Sequence, residues 1–88
     1  DEAQAVKWFR MAAQQGIVAA QFNLGLFYYQ ARGVHRDLQE AAHWYRAAAE
    51  QGHARSQITL ALLYETGEGV PRDEFEAIRW HRRAAEQG

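Results

Sequence analysis

Apolar positions recur along this chain at the three- and four-residue spacing of a helix face, in five successive stretches. Ala5, Trp8 and Ala12 stand at i, i+3 and i+7; Ala41, Trp44 and Ala48 repeat the pattern, and Ala77, Trp80 and Ala84 repeat it again. Each set predicts one apolar helix face. Phe9 and Tyr45 widen that face, and His81 replaces them in the last copy. The ends of these helices, here termed B, are also marked. Asp1, Asp37 and Asp73 are expected N-caps, with Gln4, Glu40 and Glu76 completing a capping-box pattern. Gly16, Gly52 and Gly88 stand where a left-handed residue closes a helix. Between them lie two A helices. Gln21, Leu24, Phe27 and Tyr28 share one side of the first, and Gln57, Leu60, Leu63 and Tyr64 repeat it in the second. Gly25 and Ala61 take the same slot, where a small residue lets a neighbouring helix come close. The A helices are expected to end near Gln30 and Thr66, with about two residues linking B to A and about six linking A to B.

The recurrence is an exact-length repeat. Shifting the sequence by 36 residues pairs positions 1–52 with 37–88, and 25 of these 52 pairs are identical without a gap. Unrelated sequence of this composition would match at about three. The chain therefore reads as a single domain, 1–88, in the order B–A–B–A–B. Residues 1–16 form helix B of a preceding repeat, and 17–52 and 53–88 are two repeats. Short links force antiparallel neighbours. A hairpin with two apolar faces buries the second only by stacking on the next hairpin. The expected fold is all-α, a solenoid of antiparallel helix hairpins.

Composition narrows what such a stack can do. With 48% hydrophobic and 24% charged residues, the chain is an ordinary folded domain. Its net charge of −1 gives neither the positive field that nucleic acid demands nor a polybasic patch for anionic lipid. The absence of cysteine removes disulfides and thiolate metal sites. No apolar run approaches the roughly 18 residues of a membrane span, and no secretion leader is visible. A chain opening at Asp1 is expected to be a fragment or a processed form.

The combined motif A-x-x-W-[FY]-x-x-A-A-x-Q-G, then A/S-Q-x-x-L-G/A-x-x-Y, then G-V-x-x-D resembles the Sel-1-like repeat, a relative of the tetratricopeptide repeat. Ala48–Gly52 and Ala84–Gly88 both read AAEQG, and Gly67–Asp73 reads GEGVPRD. The resemblance covers the whole chain. It implies a right-handed superhelix of helix pairs that serves as an adaptor in protein complexes. Some secreted bacterial members carry a disulfide in each repeat, which this chain lacks. The departures are small: Ala61 stands in place of glycine, and His35 stands where Pro71 sits in the second copy.

Candidate chemistry is sparse. Trp8, Trp44 and Trp80 recur on the expected core face and read as packing residues rather than a stacking platform. The histidines His35, His43, His53 and His81 show no zinc-ligand spacing. His43 is expected in solvent and His81 half-buried. In the acidic group Glu65, Glu68, Asp73, Glu74 and Glu76, capping accounts for Asp73 and Glu76, and no apolar pocket is apparent to set up a catalytic pair. No catalytic or nucleotide-binding motif is present. The chain thus reads as non-enzymatic, with no metal and no cofactor.

The informative positions are those that differ between repeats on the A helices, which by the resemblance line a concave face. Opposite the core stripe lie Ala19, Phe22, Leu26, Tyr29 and Gln30, and in the second copy Arg55, Ile58, Leu62, Glu65 and Thr66. A solvent face should be polar, and this one carries Phe22, Leu26, Tyr29, Ile58 and Leu62. The expected partner site is therefore Phe22, Leu26, Tyr29, Gln30, Arg55, Ile58, Leu62 and Glu65, taking a peptide or partner protein. For Leu26 and Leu62, stacking between adjacent A helices is an equal alternative. The rival functions are an RNA-binding helical repeat, which the charge balance disfavours, and a regulatory domain of a larger enzyme or of a secretion or cell-wall complex. The chain ends are a second candidate surface, for self-association: Trp8, Phe9 and Met11 lack a preceding A helix, and Ile78 and Trp80 lack a following one.

Overall fold

Five helices and no strand make up the described residues, 1–87, of the computed structural model: α1 (Glu2–Gln14), α2 (Val18–Gln30), α3 (Leu38–Glu50), α4 (Ala54–Thr66) and α5 (Glu74–Ala85). Helices α1, α3 and α5 are the B helices, and α2 and α4 the A helices. Each packs on its neighbours in sequence. The architecture is the expected all-α solenoid. Gly88, expected as the last helix-closing glycine, lies outside the described residues.

The aspartate caps form. Oδ1 of Asp1, Asp37 and Asp73 accepts from the N–H of Gln4, Glu40 and Glu76 at 2.8, 3.0 and 3.1 Å. The reciprocal half of the capping box does not form at Asp37 and Asp73, contrary to the sequence pattern. Their N–H groups donate instead to the carbonyls of Tyr28 (3.2 Å) and Tyr64 (3.0 Å). The last carbonyls of an A helix have no partner within the helix, and the returning loop brings these N–H groups to them. Glu76, freed from the cap, pairs with Arg79 at 3.2 Å. The links are also one residue longer than expected, three residues from B to A (15–17, 51–53) and seven from A to B (31–37, 67–73).

The A helices are buried from both sides. Gln21, Leu24, Gly25, Phe27 and Tyr28 of α2 are buried, as are Gln57, Leu60, Ala61, Leu63 and Tyr64 of α4. The small slot is needed where α3 crosses α2. A Cβ on Gly25 would sit 3.0 Å from the Tyr45 ring and 3.2 Å from the Ala41 carbonyl oxygen. The copy that tolerates Ala61 has His81 where Tyr45 stands.

The three tryptophans do not share one environment, which corrects their reading as equivalent core residues. Trp80 is 1% exposed, Trp44 is partly buried and Trp8 is 62% exposed. The indole side of a B helix faces the hairpin before it. Trp80 lies in a cluster with Ala49, Leu60, Ala61, Tyr64 and Ala77, whereas α1 has no hairpin before it among the described residues. Trp80 was also expected to lie bare at the last helix; only Ile78 does so. Met11 is exposed with Trp8, and Phe9 is half-buried edge-on to Phe27 (centroids 5.4 Å).

Adjacent repeats are joined by a glutamine ladder. Gln21 Nε2 donates to the Ala13 carbonyl (3.2 Å) and Gln57 Nε2 to the Ala49 carbonyl (3.0 Å). The side-chain oxygens of these two buried residues accept in turn from Nε2 of Gln51 and Gln87, each at 2.8 Å. This is why the Q of the AAEQG signature and the Q that opens the A helix recur together. Clips from Arg10 to the Tyr28 hydroxyl (2.6 Å) and from Arg46 to the Tyr64 hydroxyl repeat at the same spacing. Replacing Gln57 with Leu leaves a buried carbonyl and the Gln87 amide short of a partner. The expected loss is about 2 kcal/mol, read from urea unfolding; an unchanged midpoint would mean the ladder adds nothing to stability.

Candidate functional site

Between α2 and α4 lies an open cleft of about 280 Å³. Phe22, Leu26, Tyr29 and Gln30 come from α2, Arg55, Thr59, Leu62 and Leu63 from α4, Tyr45 from α3, and Glu68 from the loop after α4. Six of the eight residues expected from the sequence thus line one cleft: Phe22, Leu26, Tyr29, Gln30, Arg55 and Leu62. Ile58 and Glu65 do not line it. At 3.6 residues per turn they are rotated about 60–80° around α4 from the stripe of Arg55, Thr59 and Leu62. Ile58 is 44% exposed. Glu65 lies on the flank of α4 towards α5, where its Oε1 meets His81 Nε2 at 2.7 Å and it borders a separate hollow with Arg72, Glu74, Ala77 and Ile78.

The apolar surface of the cleft is partly engaged and partly bare. Phe22 is half-buried, with its ring 5.6 Å from that of Tyr45 and 5.2 Å from that of His53, and the Arg55 guanidinium lies 5.3 Å from its centroid. Leu26 is half-buried, while Leu62 is 48% exposed. Both leucines border the open cleft rather than being sealed between helices.

Its polar groups divide into satisfied and unsatisfied ones. The Tyr29 hydroxyl donates to the Glu68 carboxylate at 3.2 Å, and that carboxylate also accepts from Thr66 Oγ1 at 3.0 Å and lies 3.9 Å from Arg36. Thr59 Oγ1 donates to the Arg55 carbonyl at 2.8 Å. The Arg55 guanidinium, by contrast, has no acidic partner among the described residues. Tyr45 as a residue is 1% exposed and its ring is packed away, while its hydroxyl makes no hydrogen bond to another described residue and opens on the cleft. Burial pushes the Tyr45 hydroxyl pKa up to about 12; Tyr29 adds to the rise and Arg55 opposes it. The phenol is thus a proton donor at any ordinary pH.

Sequence reasoning missed Tyr45, Thr59, Leu63 and Glu68. Tyr45 and Leu63 read as core, and Glu68 as one of an acidic group with no assigned role. One signal did point to Tyr45: its repeat position is filled by Phe9, Tyr45 and His81 in turn, and only the copy beneath this cleft carries a hydroxyl.

No cluster of three His, Asp or Glu residues suited to a metal ion occurs among the described residues, and no described helix is long and apolar enough to cross a membrane. The Sel1 repeat pattern matches the chain at residues 1–17, 18–53 and 54–88. The chain belongs to the Sel1 repeat family. It superposes on a Sel1 repeat protein from Oxalobacter formigenes with a TM-score of 0.95 at 44% identity, over 98% of this chain and 35% of that one. It is equally similar to c5321, a protective antigen of uropathogenic Escherichia coli strains that displays an SLR fold, with a TM-score of 0.97 at 45% identity, over 100% of this chain and 19% of that one. Cysteine rich protein B of Helicobacter pylori shares the fold at 23% identity, with a TM-score of 0.94 over 100% of this chain and 66% of that one. No curated protein matches the chain. This Sel1 repeat chain therefore spans about a third and a fifth of the first two proteins it resembles. Sel1 repeats are protein-interaction modules, and members of the family are typically non-catalytic scaffolds.

Proposed function

We propose that this Sel1 repeat chain holds a peptide, or an exposed segment of a partner protein, in the cleft between α2 and α4, the inner face of the superhelix. The observation that carries this reading is the half-open apolar surface of Phe22, Leu26 and Leu62 beside unpaired donors. Apolar side chains left accessible in a concavity and rimmed by polar groups are the usual composition of a recognition surface. The cleft belongs to two successive A helices, so its shape depends on the stacking of one repeat on the next. Scaffolding requires no more than this: the groups are arranged to bind, and none is paired for proton transfer or nucleophilic attack.

A heptapeptide display library panned on the purified protein tests the reading. Leu62 is surface-exposed, so Leu62→Asp is expected to fold normally while lowering the affinity of selected peptides by about 2 kcal/mol, roughly thirtyfold. Peptides that bind wild type and Leu62→Asp equally well would place recognition elsewhere on the molecule.

A further inference from the structure

The two unengaged donors of the cleft say what its occupant must bring. Tyr45 comes from α3 and its hydroxyl sits at the floor; Arg55 comes from the first turn of α4 and its guanidinium lies over Phe22 at the rim. Neither has an acceptor among the described residues. The other polar groups of the cleft are already matched: Tyr29 to Glu68, Thr59 to a backbone carbonyl, and Gln30 Oε1 to Arg32 at 3.4 Å. The one anion present, Glu68, is ringed by Tyr29, Thr66 and Arg36.

Tyr45 is the more telling of the pair. A phenol hydroxyl that opens on a cleft and meets no protein acceptor there keeps its proton available to whatever enters. The equivalent position in the first repeat is Phe9, which packs edge-on against Phe27 without a hydroxyl. The Tyr45 ring therefore accounts for packing, and the added oxygen has no structural role to explain it. Arg55 is likewise placed where a cation gains nothing from its own helix, since the N-terminal turn disfavours positive charge.

We propose that the cleft selects an acidic peptide segment, in which an apolar side chain lies on Phe22, Leu26 and Leu62 while a neighbouring carboxylate accepts hydrogen bonds from the Tyr45 hydroxyl and the Arg55 guanidinium. This rests on the cleft being the binding site and adds the chemistry of what enters it. A single aspartate or glutamate next to a leucine or phenylalanine has the required form. A basic segment would set its charge against Arg55 and leave the Tyr45 hydroxyl unmatched.

The heptapeptide library provides the probe. Cleft-dependent peptides, defined as those lost on Leu62→Asp, are expected to be rich in Asp or Glu adjacent to a large apolar residue. Tyr45→Phe removes only the oxygen and is expected to keep the melting temperature while weakening those peptides about tenfold. Arg55→Glu, at an exposed position, is expected to abolish their binding and, when panned itself, to select Lys or Arg in place of the acid. Arg55→Gln provides the same test without introducing charge, should Tyr45→Phe disturb the fold. Cleft-dependent peptides with no acidic preference, indifferent to Tyr45→Phe and Arg55→Gln, would overturn the carboxylate assignment and leave the cleft reading intact. Failure to recover any cleft-dependent peptide would overturn both.

Discussion

Replacing Trp80 with alanine is expected to destabilise the domain by about 3–5 kcal/mol, whereas the same change at Trp8 is expected to stay within about 0.5 kcal/mol. Both residues occupy one repeat position, and their local sequences are nearly the same. The difference lies in what stands before each helix. Trp80 is enclosed by Ala49 of α3 and by Leu60, Ala61 and Tyr64 of α4, with the Arg83 guanidinium 4.6 Å and that of Arg79 5.3 Å from its ring. Its truncation opens a cavity that a stack of rigid helices cannot close. The Trp80 Nε1–H has no hydrogen-bond partner, so the contribution comes from packed apolar area, and Trp80→Phe should restore much of it. Trp8 is mostly in solvent and leaves little cavity. Urea unfolding of the two alanine variants provides the comparison, and acrylamide should quench Trp8 far more readily than Trp80. Equal losses at the two sites would show that the burial gradient along the stack is wrong.

The second large effect is expected at Gly69. Replacement with alanine should cost about 2–5 kcal/mol, combining the left-handed backbone penalty of about 1–2 kcal/mol with overpacking of about 1–3 kcal/mol. Gly69 has φ +75°, and a Cβ there would fall against the backbone of α3, within 2.6 Å of the Leu38 carbonyl carbon. Gly33, one repeat earlier, meets α1 in the same way, with a Cβ 2.6 Å from the Glu2 carbonyl oxygen. The loop that ends each A helix thus lies directly on the first turn of the B helix before it, and only a residue without a side chain allows the approach. Gly67 provides an internal control. It also has φ +75°, but its nearest neighbour is the Arg72 side chain at 3.4 Å. Ala31 already occupies the equivalent place in the first repeat with φ 57°. Gly67→Ala should therefore cost only the backbone term, about 1–2 kcal/mol. At roughly 4–8 °C per kcal/mol for a domain of this size, thermal melts should separate the two variants clearly. A Gly69→Ala melting temperature matching that of Gly67→Ala would remove the close contact from the account.

The helices and their ends were legible because they depend on nearby residues. Asp37 caps because its side chain reaches an N–H three residues on, and the 3.6-residue period places Leu24 and Tyr28 on one side whatever the rest of the chain does. The cleft was legible in part for the same reason: Phe22, Leu26 and Leu62 are apolar on a face that should be polar. Ile58 and Glu65 were grouped with them because a turn or so of helix cannot separate faces that differ by a small rotation. Tyr45 was hidden by its own burial. An aromatic residue on the core stripe of a B helix reads as packing, and only the position of α2 and α4 above it reveals that its hydroxyl opens on the cleft.

Read as a string, then, the chain specified its repeat length, its five helices, most of their caps and its family, since all of these follow from short-range patterning copied at a fixed interval. The tertiary structure decided which copy of each residue is covered and which hydrogen bonds close. Three tryptophans in one register range from exposed to fully buried, and two cap N–H groups turn to the carbonyls of the preceding helix rather than to their own acid. The reason is that burial and hydrogen-bond choice depend on whatever stands beside a residue, and in a stack that neighbour is supplied by the next or the previous hairpin.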